Sequence, residues 1–112
     1  MKTKQVLSAL TALAQETRLS LFRLLVQVGP DGMSATKIAE HLDVAPSSLS
    51  FHLKELTQAG LIQPRQDGRF VFYSADVTTM NGLINFLTEN CCAGVPCGPN
   101  ATCDSGLAKA EE

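Results

Sequence analysis

Apolar positions recur through most of the first 90 residues at the three- and four-residue spacing of helices, with one short stretch that reads as strand. Residues 2–14 place Val6, Leu7, Leu10 and Leu13 along one side of a first predicted helix. Residues 16–28 form a second, in which Leu19, Leu21, Phe22, Leu24, Leu25 and Val28 leave little solvent face, so it is expected to be the central core helix. Gly29-Pro30-Asp31-Gly32 ends it as a turn. Residues 34–60 then read as two short helices joined tightly. Ser34 suits the N-cap of the first, whose stripe is Ile38, Ala39 and Leu42. Asp43-Val44-Ala45-Pro46 breaks the pattern, and Pro46 fits the first turn of the second. There Leu49, Leu53 and Leu56 share one face, and Gly60 fits the position just past its end.

On a wheel of ~100° per residue, Ser47, Ser50, Phe51, Lys54 and Gln58 fall opposite those leucines. Small polar residues with one cation suit a helix lying against base edges in a DNA major groove. His52 falls nearer the leucine edge and reads first as a packing residue, second as a DNA contact. Two such helices alone fit an ordinary helical corner as well as a helix-turn-helix. The adjoining segment separates the two. Residues 61–65 predict an edge strand that tolerates Pro64, residues 66–69 a turn, and residues 70–74 a returning strand. Arg65 and Arg69 flank the tip of this hairpin, where cations fit phosphate or minor-groove contact. Helix, helix, helix-turn-helix, hairpin is the order of a winged helix.

Residues 76–90 return to helix, with Asp76 as N-cap and Met80, Leu83, Ile84 and Leu87 as the stripe. The expected fold class is thus mainly α with a small β-hairpin, a winged helix-turn-helix over residues 1–90 followed by a separate tail, residues 91–112. So small a domain cannot easily bury both terminal stripes and the central helix. The first and last helices are therefore expected to form a homodimer, which would present two reading helices to a pseudo-palindromic site.

Composition changes this picture in one respect. The chain is 45% apolar and 18% charged, as a packed domain should be, and its formal charge of −2 looks wrong for a DNA binder. The charge is unevenly placed, however. Residues 1–75 hold eight of the nine Lys and Arg against six acids, net +2, and residues 76–112 are net −4. Phosphate contact needs only a local basic surface. No apolar run approaches the ~20 residues of a membrane span. The basic-then-apolar start has helical spacing and runs directly into Gln15, Glu16 and Arg18, so it reads as a folded helix of a cytoplasmic protein rather than an export signal.

All four cysteines, Cys91, Cys92, Cys97 and Cys103, lie within thirteen residues near the end of the chain. A secreted disulfide framework would spread them through the fold, and neither a zinc ribbon nor a thioredoxin-like motif matches, since no C-x₂-C pair exists. A thiol enzyme would need an activating or anion-holding residue, and no Lys, Arg or His lies within ten residues of Cys91, Cys92 or Cys97. Soft-ion chelation on a pliable segment remains. Three thiolates from Cys91, Cys92 and Cys97 suit As(III) or Sb(III), whose lone pair fills the fourth direction. Adding Cys103 would give a four-sulfur site for Cd(II) or Zn(II). A redox sensor forming a disulfide from the same thiols is a further alternative, although adjacent cysteines pair poorly with each other.

Ala9-Leu10-Thr11-Ala12-Leu13-Ala14-Gln15-Glu16-Thr17-Arg18-Leu19, Phe22-Arg23-Leu24-Leu25, Leu49-Ser50-Phe51-His52-Leu53-Lys54-Glu55-Leu56 and Ala59-Gly60-Leu61-Ile62 together resemble the ArsR/SmtB family of winged-helix metalloregulators. The resemblance covers roughly residues 5–90. It implies a homodimeric repressor that needs no cofactor to hold double-stranded operator DNA and leaves it when the inducing ion binds. It also implies operator contact at Ser47, Ser50 and Phe51. Two departures stand out. Residues 35–39 lack the family's C-x-C arsenic cluster, and residues 77–90 lack the His ligands of its zinc sensors. The cysteines instead resemble an arsenic-responsive subgroup with thiols beyond the last helix. Phe51 stands where many relatives carry a polar residue, so their base preference does not transfer.

Overall fold

The computed structural model of the chain describes residues 1–89. Five helices and three short strands follow the order α1 (Thr3–Leu13), α2 (Glu16–Val28), β1 (Met33–Ser34), α3 (Ala35–Leu42), α4 (Pro46–Gln58), β2 (Ile62–Asp67), β3 (Phe70–Ala75) and α5 (Val77–Leu87). Three helix starts are capped by side chains, at Ser34 and Asp76 as expected and at Gln15, which the sequence pattern does not mark. Gln15 accepts from the Arg18 backbone N–H at 2.9 Å, Ser34 from Lys37 at 3.3 Å, and Asp76 from Thr79 at 3.0 Å. Each satisfies one donor that the first helical turn leaves without a partner.

The two helices of the helix-turn-helix end with the same pair of bonds. At the end of α4, the Gly60 N–H reaches the Thr57 carbonyl and the Leu61 N–H reaches the Leu56 carbonyl. Gly60 takes φ +80 there, the left-handed turn that this closure requires. At the end of α3 the corresponding bonds run from Asp43 to Glu40 and from Val44 to Ala39. Here the left-handed residue is Asp43, at φ 55. Leu56 and Leu61, at the two ends of the first closure, are both fully buried.

The core joins α1, α2, α3, α4, the start of β2 and α5 through Val6, Ala9, Ala12, Leu21, Phe22, Leu25, Ile38, Leu49, Leu53, Leu56, Leu61, Ile62 and Leu83. The stripe expected on α1 is therefore corrected. Val6, Ala9 and Ala12 face the core, with Leu13 half-buried, whereas Leu7 and Leu10 are 58% and 38% exposed. Small alanines let α1 pack closely on its neighbours, and the larger leucines face outward. Helix α2 holds the central position expected of it but keeps a solvent face, with Leu19 and Val26 exposed.

The sheet has a third strand that the sequence pattern does not show. Its order is β1-β3-β2, with Met33 opposite Tyr73 and Ser34 opposite Phe72. Strand β2 is consequently an edge, and Pro64, opposite Tyr73, sits where a missing N–H is tolerated. The strands also run further than expected. Asp67 pairs with Phe70, which leaves Gly68-Arg69 as the two-residue turn. Gly68 takes φ +64 at the first turn position, which matches the right-handed twist of the ribbon. The last helix stops at Leu87, short of the expected end at residue 90.

Candidate nucleic-acid interface

Helix α4 divides its residues as the wheel requires. Leu49, Leu53 and Leu56 are buried, while Ser47, Ser50, Phe51, Lys54 and Gln58 are exposed. Burying a leucine side chain is worth ~1.5–3 kcal/mol, so three on one helix face root it firmly. The exposed row is then displayed from a fixed backbone. Its chemistry comprises two hydroxyls, an ammonium, an amide and one aromatic ring that is 55% exposed. Hydroxyls and ammonium reach base edges or phosphates, and an apolar ring can pack on a thymine methyl.

Phe51 is not loose. The Arg18 guanidinium carbon lies 5.9 Å from its ring centroid, and the His52 ring meets it edge-on at 5.6 Å. Arg18 also donates from Nε to the Ala12 carbonyl at 2.7 Å and from Nη1 to His52 Nδ1 at 3.3 Å. Arginine can only donate, so His52 Nδ1 must be the unprotonated, accepting nitrogen. Burial, then the neighbouring Arg18 charge, lowers the His52 pKa from its usual 6.5. His52 is half-buried, which fits its place at the leucine edge. Arg18 has no counterpart among the residues expected to form this site. It lies 34 positions from His52, and no local spacing pattern connects the two.

The two wing cations differ. Arg65 pairs with Asp67 at 3.7 Å, donates to the Asp31 carbonyl at 2.9 Å and stacks over Phe72 at 5.1 Å. It braces the edge strand against the turn after α2. Arg69 sits in the hairpin turn itself and is exposed. Phe70 beside it is 59% exposed. The structure therefore brings Ser47, Ser50, Phe51 and Lys54 onto one helix face and places Arg65 and Arg69 on a separate projecting ribbon.

Cys91, Cys92, Cys97 and Cys103 lie outside the described residues, as does the tail they belong to. Among the described residues no group of three or more His, Cys, Asp or Glu comes together to hold a metal ion, and no helix is long and apolar enough to cross a membrane. Helices α1 and α5 pack against each other. Each keeps large apolar side chains exposed, Leu7 and Leu10 on α1 and Val77 and Leu87 on α5.

The order of elements, the rooted second helix and the hairpin define a winged helix-turn-helix. Residues 13–65 match the family described as a helix-turn-helix domain. The transcriptional repressor SdpR of Bacillus subtilis (strain 168) is 37% identical over 76 residues, covering 68% of this chain and 81% of that protein. The arsenical resistance operon repressor of the same organism is 35% identical over 81 residues, covering 72% and 73%. A possible ArsR-family transcriptional regulator from Mycobacterium bovis, solved as a homodimeric winged helix-turn-helix DNA-binding domain, superposes with a TM-score of 0.62 at 27% identity, covering 78% of this chain and 81% of that one. The chain belongs to the ArsR/SmtB family of winged helix-turn-helix transcriptional repressors, DNA-binding regulators rather than enzymes.

Proposed function

We propose that this protein is a cytoplasmic, homodimeric repressor that holds double-stranded operator DNA in its metal-free form and is released when As(III) or Sb(III) is held by Cys91, Cys92 and Cys97. The observation that carries the DNA half is the exposed row Ser47, Ser50, Phe51 and Lys54 on a helix rooted by three buried leucines. Arg69 at the wing tip adds phosphate contact, and Arg65 keeps the wing in place while offering its outer edge to the backbone. The exposed leucines of α1 and the exposed Val77 and Leu87 of α5 support a seam between two copies. Likeness to an arsenical resistance operon repressor supports the inducer class.

The inducer half rests on donor chemistry. Three closely spaced thiolates and no nearby imidazole favour a thiophilic trivalent ion over zinc. Cys91 follows the last residue of α5, Leu87, by four positions. Gathering three sulfurs at one centre restrains the chain just beyond α5, and α5 packs on α1. Restraint at that end is thus felt where the two copies are proposed to meet, and a changed seam alters the spacing of the two α4 helices. The ion can act so only if it binds the released arrangement more tightly than the DNA-bound one.

The test is operator release by fluorescence anisotropy, comparing arsenite, antimonite, cadmium, zinc and peroxide on the wild type and on Cys91→Ser, Cys92→Ser, Cys97→Ser and Cys103→Ser. Arsenite or antimonite should release the wild type and Cys103→Ser but not the other three. Release of all four variants by arsenite would end the three-thiolate proposal. Release only by cadmium or zinc, lost in Cys103→Ser, would establish the four-sulfur alternative, and release by peroxide without any ion would establish the redox one.

A further inference from the structure

We propose that Arg18 is a positioning residue for DNA reading, tying the reading helix to α1 by holding Phe51 and His52 in one pose. The proposal rests on the DNA-reading role proposed for α4. Arg18 stands in the first turn of α2, where its own backbone N–H is fixed by Gln15. Its side chain then leaves α2 altogether. Nε closes on the Ala12 carbonyl in the last turn of α1, Nη1 on His52 of α4, and the guanidinium carbon lies over the Phe51 ring of α4. One rigid, planar group thereby joins three helices.

Each contact suits an arginine. The last carbonyls of a helix lack intrahelical partners and carry partial negative charge, so a cation at Ala12 is favoured. A fork with five fixed donors can reach a carbonyl and an imidazole at once, and its flat face can stack on a ring. Lysine offers neither the plane nor the fork. Without these contacts, Phe51 would be an exposed ring free to move among rotamers on the face proposed to read bases. With them it has a cation on one side and the His52 edge against it. Arg18 is half-buried and acts through these two residues. Because α1 is also the proposed seam helix, movement there reaches the reading helix through Arg18.

The test uses the full-length, reduced protein and two duplexes of equal length, one from its own upstream region and one scrambled. Arg18→Met should weaken upstream-duplex binding by about tenfold, the scale of losing one well-placed base contact, and leave the scrambled duplex within about twofold. The salt dependence of binding should keep its slope, since no phosphate contact is removed. His52→Gln keeps an acceptor for Arg18 and should bind the upstream duplex more tightly than His52→Leu, which should lose discrimination as Arg18→Met does. The double variant Arg18→Met, His52→Leu should be no weaker than Arg18→Met alone. Unchanged discrimination in Arg18→Met would overturn the proposal. So would equal losses on both duplexes with a shallower salt slope, which would make Arg18 a phosphate contact, or additive losses in the double variant, which would make His52 an independent one. Should Arg18→Met not fold, the His52→Gln and His52→Leu pair decides, and equal affinity for the two overturns it. Phe51→Ala and Lys54→Ala separate the two levels. Wild-type binding by both would remove the reading of α4 itself, while weakened binding by them beside an unaffected Arg18→Met removes only the role of Arg18.

Discussion

Helix α4 and the β2–β3 wing both offer cations to solvent, yet they are held in opposite ways. Three leucines, each no more than 4% exposed, root α4 in the core, so its outer side chains take their positions from close packing. In the wing, every residue from Gln63 to Phe70 is exposed; the base of the ribbon packs on the core through Ile62 and Tyr73, and Arg65 ties its edge strand to the turn after α2. A rooted helix can present groups to base edges with the accuracy that discrimination needs. A projecting ribbon suits contact with phosphates, where charge matters more than exact placement.

The largest way to break that contrast is to cut the root. Leu56→Ala should cost about 2–5 kcal/mol, whereas Gln63→Ala on the wing should change stability by no more than ~0.5 kcal/mol, both read from urea unfolding. Next comes DNA discrimination. Phe51→Ala should cost about 1–3 kcal/mol on the operator with little effect on unrelated duplex. Arg69→Ala should weaken both duplexes alike and reduce the salt slope by about 1.

A smaller effect comes from His52, whose folded pKa lies below its usual 6.5 because of burial and then Arg18. The unfolded chain therefore takes up the proton first as pH falls. The stability carried by neutral His52 is complete above about pH 6.5 and is lost as pH drops from there toward the lowered value. Urea midpoints between pH 8 and pH 5 should show this fall in the wild type and a flatter profile in His52→Gln. Smallest is Arg65→Gln, whose ion pair with Asp67 is largely exposed. It should cost at most about 1 kcal/mol globally, while hydrogen exchange rises selectively in β2 and β3.

Features carried by local pattern were legible in the sequence. Helix α2 spans Glu16–Val28 as its apolar run predicts, the caps at Ser34 and Asp76 are those expected, and the outward row of α4 agrees with its leucine spacing. Features made by distant partners were not. On α1, apolar spacing could not separate Val6, Ala9 and Ala12, which meet the core, from Leu7 and Leu10, which do not, because both sets are apolar and helically spaced. Strand β1 is two residues long, too short to show alternation, and exists because β3 lies beside it. Arg65 read as a free wing cation, since its hold on the Asp31 carbonyl crosses 34 residues. The Arg18–His52 pair crosses 34 as well, and within the candidate site it is the element the pattern misses altogether.

The most direct measurement is anisotropy of the reduced, metal-free protein against duplex DNA from its own upstream region at low salt, then addition of arsenite at saturating protein. Binding tighter than to a scrambled duplex, with two chains per site, and release on addition of arsenite is the expected result. Equal affinity for both duplexes, or tight binding that arsenite leaves unchanged, would contradict it.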